Sequence, residues 1–233
     1  MEQLSTHDIR RMLGFLQALY VLRPQQEFSG YLVAAIPTII STDASSYNEI
    51  NSRMGTASYQ GWPPDHPDIP DSREILGRYA HQSPLIIHAE RSPSATAAKM
   101  SDFVSHRTFK TSTLFNEFYR PLRLHFNMGA RLTHEPGPLV AVGLLRARRD
   151  FTSHDVMLLN VMSPHLIQAY HNAAAITRMQ EQVTASSETL EERHQGLISV
   201  TEDGSIRFST PLADQLMLRY DRTAKRNPGC LPP

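Results

Sequence analysis

The chain holds a single cysteine, Cys230, in 233 residues. That excludes an intramolecular disulfide framework, a cysteine-rich zinc or iron–sulfur site, and a cysteine nucleophile inside the folded region. Net charge is absent too, because twenty-three basic residues balance twenty-three acidic ones. A chain that coats nucleic acid or clings to an anionic membrane needs a basic excess. Long apolar runs are also missing. The longest, Tyr31 to Ile40, is about half the ~20 residues of a spanning helix, and Pro37 interrupts it. The start, Met1 to Ser5, lacks the basic and apolar stretches of a signal peptide, so a cytoplasmic location is expected.

Chemical motifs are equally scarce. There is no Gly-x-Ser-x-Gly elbow, no Gly-x-Gly-x-x-Gly and no Walker loop. Of eleven histidines, no two stand four apart, the spacing that sets a metal-binding pair on one helix face. Asp65-His66-Pro67-Asp68 has chelating residue types, and a proline-rich turn accounts for it. No metal and no cofactor are expected, and no catalytic residue is assigned. Glu191 and Glu192 lie in a polar stretch and read as solvated charges.

What is present is a patterned succession of elements. Ser5 can cap a first helix carrying Ile9, Met12, Leu13, Leu16, Leu19 and Tyr20. A second follows from Phe28 and stops or kinks at Pro37. Residues 43–51 read as a strand paired with 54–59. Residues 61–71 form a proline-rich loop. A helix over 73–81 precedes Leu85–Ile87, read as a strand. A helix capped by Thr111 or Ser112 carries Leu114, Phe115, Phe118 and Leu122. Two strands, 124–132 and 139–147, join through His134 to Pro138 as an antiparallel hairpin. The second is apolar on both faces and belongs at the centre of a sheet. Thr152 caps the longest helix, which is expected to kink at Pro164 and reach about Met179. Residues 196–208 make a hairpin followed by a short helix. The fold class is α+β, an antiparallel sheet flanked by helices, with a long helix and a short hairpin appendage toward the C-terminus. The expected divisions are 1–180, a polar linker or helix extension over 181–195, the hairpin and helix of 196–220, and a tail over 221–233.

Three stretches together carry a resemblance: Ser41 to Ile50; Lys99 to Phe103 with Phe109 and the helix to Phe118; and Leu144-Leu145-Arg146 followed by Asp150 to Asp155 and Leu158 to Leu166. These resemble the GAF-like sensory region of bacterial LuxR-type transcriptional regulators. Residues 196–220 resemble the opening of a PAS-like hairpin. The resemblance spans residues 5–220 and implies a sensory and dimerisation module. In that group a helix-turn-helix domain of ~65 residues follows. Only thirteen residues remain after Tyr220, so the chain is expected to lack its own DNA-binding domain. It also departs from cysteine-dependent relatives that reduce methionine sulfoxide or attach bilins, and lacks the Asn-Lys…Phe…Asp-Glu signature of cyclic-nucleotide binders.

The candidate ligand-binding residues are Tyr47, Tyr59, Trp62, His81 and His88. They are expected to converge from strand, loop, helix and strand on a small-molecule pocket, with Trp62 in a lid. Closing the core under a loop is the alternative role for these aromatics. A homodimer is expected through the terminal helices, with Leu13, Leu16, Leu159, Leu166 and Ala173 on the seam. His165 is expected to bond a carbonyl freed at Pro164. Arg120, Arg123, Arg131, Arg146, Arg148 and Arg149 are expected on exposed strand faces or paired with acids between residues 65 and 90. Two other functions stay open: an interaction protein forming heterodimers with full-length regulators, and a small-molecule hydrolase or reductase with His81 or His165 as base.

Overall fold

In a computed structural model of the chain, residues 4–63, 71–92, 97–135, 137–192 and 195–220 are described. The Asp65 to Asp68 cluster, and the basic tail with Cys230, lie outside the described residues. The chain divides into two compact units, Met1–Ile176 and Thr177–Pro233.

In the first unit, α1 (Thr6–Leu19) opens on a reciprocal cap. The Asp8 N–H donates to Ser5 Oγ at 3.1 Å, and the Ser5 N–H donates to the Asp8 carboxylate at 3.0 Å. Helix α2 (Gln25–Ala35) gives way to a single tight turn, Ile36–Thr38, at Pro37. Strands β1 (Ala44–Asn51) and β2 (Thr56–Trp62) follow, then α3 (Ser72–Tyr79) and α4 (Pro84–Arg91). Next come the short β3 (Ala98–Lys99), α5 (His106–Phe109), a five-residue π-helix (Phe115–Tyr119), β4 (Phe126–Arg131) and β5 (Leu139–Arg146). Helix α6 (Ser153–Glu192) passes through Pro164 and runs beyond Met179 into the segment expected to be a polar linker or a helix extension, as far as residue 192.

The five strands form one antiparallel sheet in the order β2-β1-β5-β4-β3. Central β5 is apolar on both faces because both are covered. Val142 and Leu144 meet α1, α2 and α6 through Phe15, Leu32, Leu159, Met162 and Leu166. Leu139 and Leu145 meet α3, α4 and the π-helix through Leu76, Ile86, Phe115 and Phe118. Helix α3 sits at backbone distance from the sheet: a Cβ on Gly77 would lie 2.4 Å from Gly55 O.

Two expected elements differ. Leu85–Ile87 is the first turn of α4, not a strand. Ser83 caps that helix, its Oγ accepting the Ile86 N–H at 3.3 Å, and Pro84 occupies the first helical position. The helix expected after Ser112 closes with the π turn, in which the Arg120 N–H donates to Phe115 O at 2.8 Å.

Two arginines expected at the surface are buried. Arg146 is 4% exposed. Its Nε donates to Ser41 O at 2.8 Å, Nη1 to Asp155 Oδ2 at 2.9 Å and to Asp150 O at 3.2 Å. Its guanidinium carbon lies 4.1 Å from the centre of the Phe151 ring. Beside it the Leu145 N–H donates to Thr42 Oγ1 at 3.0 Å. These bonds tie the end of β5 to the entry of β1 and to the first turn of α6. Arg131 is the second buried arginine, and its three hydrogen bonds go to backbone carbonyls.

In the second unit, β6 (Ile198–Val200) and β7 (Ile206–Ser209) form a hairpin leading to α7 (Pro211–Tyr220). The Leu197 N–H donates to Thr210 Oγ1 at 3.0 Å, and the Thr210 N–H returns to Leu197 O at 2.9 Å.

Burial raises the Asp155 carboxyl, but the Arg146 guanidinium and the Thr152 N–H and hydroxyl outweigh it, so its pKa is lowered overall. Asp155→Asn is expected to cost about 3 kcal/mol at neutral pH, the scale for removing one partner of a buried pair. A lowered folded pKa contributes stability above the unfolded value of about 4 and loses it as pH falls through the folded value. Urea denaturation should therefore show the gap between wild type and variant closing on acidification.

Candidate functional site

The face of the sheet under α3, α4 and the π-helix is not filled. It bounds a partly open cavity of about 630 Å³. Strand register explains the space. Ala98 pairs with Gly129, Gly129 with Gly143, Gly143 with Ser46, and Ser46 with Gly61. Directly paired residues share a face, so these five form one row across all five strands. All of them line the cavity. The row is a trough of roughly 19 Å, four interstrand spacings of ~4.8 Å. Two of its glycines sit where a side chain would crowd: a Cβ on Gly143 would lie 2.8 Å from Ser46 Oγ, and one on Gly129 2.9 Å from Val142 O.

A second row borders the trough: Arg131 pairs with Ala141, Ala141 with Asn48, and Asn48 with Tyr59. Asn48 Nδ2 donates to Ser46 Oγ at 3.0 Å. On the other border, Asn127 Nδ2 donates to the Tyr119 hydroxyl at 2.9 Å. Leu85, Ile86, His88 and Ala89 of α4, with Leu76 of α3 and Phe118 of the π-helix, make the roof. The lining is thus apolar walls with a few amide, hydroxyl and cationic groups, the composition of a small-molecule site.

Two of the five expected ligand residues, Tyr59 and His88, line this cavity under α3 and α4; Trp62 touches only its end, because it pairs with Ser45 and its side chain packs on the opposite face, against the α1, α2 and α6 core. Their setting differs from expectation. Trp62 ends β2 rather than standing in a lid, and its peptide bond to Pro63 is cis. His88 is on a helix and packs on Phe103, ring centres 4.9 Å apart. Tyr47 and His81 do not reach the cavity at all. Tyr47 lies on the opposite face of the sheet, buried among the α1, α2 and α6 residues. Its hydroxyl accepts from Gln25 at 3.2 Å and donates to Glu49 at 3.0 Å, and burial pushes its pKa up. His81 is exposed in the turn between α3 and α4. Sequence reasoning missed Asn48, Tyr119, Asn127 and the small-residue row. The cue was the set of Gly, Ala and Ser residues at alternate positions of the strands.

His165 does not bond a carbonyl. Its Nδ1 lies 2.8 Å from the Tyr20 hydroxyl, joining α6 to α1. Among the described residues, no three His, Cys, Asp or Glu side chains come together as metal ligands. No described helix is long and apolar enough to cross a membrane. Three expected seam residues are also elsewhere. Leu159, Leu166 and Ala173 are buried in the core of the same chain, which leaves them no face for a partner. Leu16 is half-buried, and Leu13 is 57% exposed.

The chain has the fold of LuxR-type ligand-binding regions. One similar solved structure is the ligand-binding domain of VqsR from Pseudomonas aeruginosa. It is 14% identical, with 72% of this chain and 96% of that one covered, at a TM-score of 0.53. Another is CepR2 from Burkholderia cenocepacia, described as an N-acylhomoserine lactone-dependent LuxR-family transcription factor. It is 14% identical, with 75% and 99% covered, at a TM-score of 0.50. Neither a protein-family model nor a curated protein sequence matches the chain.

Burial raises the Tyr119 phenol to about 12, against a smaller lowering by the Asn127 bond. It is therefore neutral at ordinary pH and able to donate. Tyr119→Phe leaves Asn127 Nδ2 without this acceptor and should cost about 1–2 kcal/mol. The raised phenol favours folding below its unfolded pKa of about 10 and loses that contribution as pH climbs toward 12. Denaturation midpoints above pH 10 should fall less steeply in the variant than in the wild type.

Proposed function

We propose that the chain is the small-molecule-sensing region of a LuxR-type transcriptional regulator, acting in the cytoplasm without catalytic chemistry. The observation that carries this is the walled cavity between the sheet and the α3–α4 layer. Occupancy bears on β4 and β5, whose opposite faces present Met128, Val142 and Leu144 to the packing of α6. A ligand preferring one arrangement of those strands shifts the population of the helix packing they support. The enzyme reading loses its bases: His81 is exposed away from the cavity, and His165 is engaged with Tyr20.

A panel of small metabolites, N-acylhomoserine lactones included, tests this by thermal shift. Ala141→Phe places a ring over the centre of the floor, where there is room for it. The variant is expected to stay within about 1 kcal/mol of wild-type stability while losing every ligand-induced shift. Equal shifts in both proteins would remove the cavity as the site.

A second reading, homodimerisation, rests on α1. Met12, Phe15 and Leu19 bury one face of that helix, yet Ile9, Leu13, Leu16 and Tyr20 form another apolar stripe at four-three-four spacing. Ile9, Leu13 and Tyr20 are exposed, as is Val161 on α6. The parallel neighbours α1 and α6 are linked by Asp8–His154 and Tyr20–His165. A second copy presenting the same stripe would cover it. Leu13→Glu should convert a dimer to a monomer by light scattering, with unfolding stability changed by no more than about 0.5 kcal/mol. An unchanged mass would exclude this seam.

A further inference from the structure

Arg131 is 7% exposed and leaves β4 on the cavity face. It spans from floor to roof, where Nη1 donates to Ala89 O of α4 at 2.9 Å. Nε donates to Thr133 O, and Nη2 to Glu135 O at 3.0 Å. A guanidinium has five N–H donors, so two are left over. Carbonyls satisfy donors without cancelling charge. Among the described residues no carboxylate lies within ion-pair distance of Arg131. The carbonyl end of α4 offsets part of the charge. The described lining contains no aspartate or glutamate to offset the rest, while Arg73 and His88 are both part of it. A buried cation in a low-dielectric site strongly favours an anion, and a guanidinium matches a carboxylate with two parallel bonds.

The shape of the floor adds to this. Arg131 stands two residues from Gly129 on β4, about 6.6 Å along the strand, beside one part of the trough. From Gly129 the row continues through Gly143 and Ser46 to Gly61, with Leu85 and Ile86 above. We infer that the occupant is an elongated organic acid, its carboxylate on the two remaining N–H groups of Arg131 and its apolar body along the row to Gly61. The inference rests on the ligand-sensing reading above and names its ligand class.

Decanoate and decanamide are suitable probes, since they have nearly the same shape and differ in charge at neutral pH. Calorimetry on the full chain, with the emission of Trp62 as a second readout, is expected to give decanoate at least tenfold tighter binding. In Arg131→Gln the ratio should fall to within twofold, with the amide bound as before. Arg131 also ties three backbone carbonyls, so if that variant does not fold, the wild-type ratio alone decides. Equal affinity for acid and amide overturns the inference, makes Arg131 a backbone tie only, and leaves ligand sensing standing. The same holds if neither probe binds while a neutral metabolite shifts the melting temperature. If no probe and no panel compound binds, both readings fall together.

Discussion

Cross-strand register is the constraint on which this structure rests. Side chains alternate faces along a strand, so a slip of one residue between β1 and β5 would exchange the two sides of the sheet. Tyr47, buried among α1, α2 and α6, would then point toward the cavity, and Asn48 would enter a hydrocarbon core. The register is held where β5 ends. There Arg146 reaches Ser41 O and Asp155, and the Leu145 N–H reaches Thr42 Oγ1. Arg146 thus joins the entry of β1, the exit of β5 and the first turn of α6. Its charge is matched by Asp155 and its face by the Phe151 ring. A lysine would supply the charge but neither the fork nor the plane.

Given that register, one sheet has two unlike sides. Toward α1, α2 and α6 it presents Val140, Val142, Leu144 and Met128, which pack against leucines, isoleucines and phenylalanines. Toward α3 and α4 its middle row is Ala, Gly, Gly, Ser and Gly. Protein interiors are normally filled to crystal-like density, so a space of this volume is maintained only by walls that cannot collapse. Here the strands are locked to one another by the full ladder. Gly77 brings α3 to backbone contact with the β1–β2 turn, and Arg131 props α4 from below. The polar groups on the floor are engaged with one another, Asn48 with Ser46 and Asn127 with Tyr119. The space is therefore a built one.

Local signals were well legible. Ser5 with Asp8, and Thr152 with Asp155, announce two helix starts, and both caps form. The two-faced apolar pattern of β5 placed it centrally. Signals that depend on pairing were not legible. Tyr47 and Tyr59 look alike in their strands, yet Asn48 pairs with Tyr59, which puts the two tyrosines on opposite faces. The small-residue row draws its members from five segments separated along the chain, and none is unusual alone. Leu159, Leu166 and Ala173 form a clean helical stripe whose partner is the sheet of the same chain, a distinction periodicity does not contain. The strand read at Leu85–Ile87 was avoidable, because Ser83-Pro84 is a cap followed by a proline at the first helical position. Arg131 was not legible because a buried arginine bound only to carbonyls leaves no acidic partner in the sequence to mark it, and Arg146 because its partner, Asp155, lies on α6 and not among the acids between residues 65 and 90.

Apart from Ala98 on β3, the cavity floor belongs to two separate hairpins, β1–β2 and β4–β5. Each closes over a short connection, whereas the β1–β5 seam joins residues about a hundred positions apart, as in the bond from Leu145 to Thr42. Local pairs are quick to form, and distant ones must first overcome the entropy of a long loop. The chamber therefore has no counterpart in either hairpin and comes into being only when the seam zips. A molecule held there would clasp the two hairpins together, as a rivet across the joint of longest sequence separation.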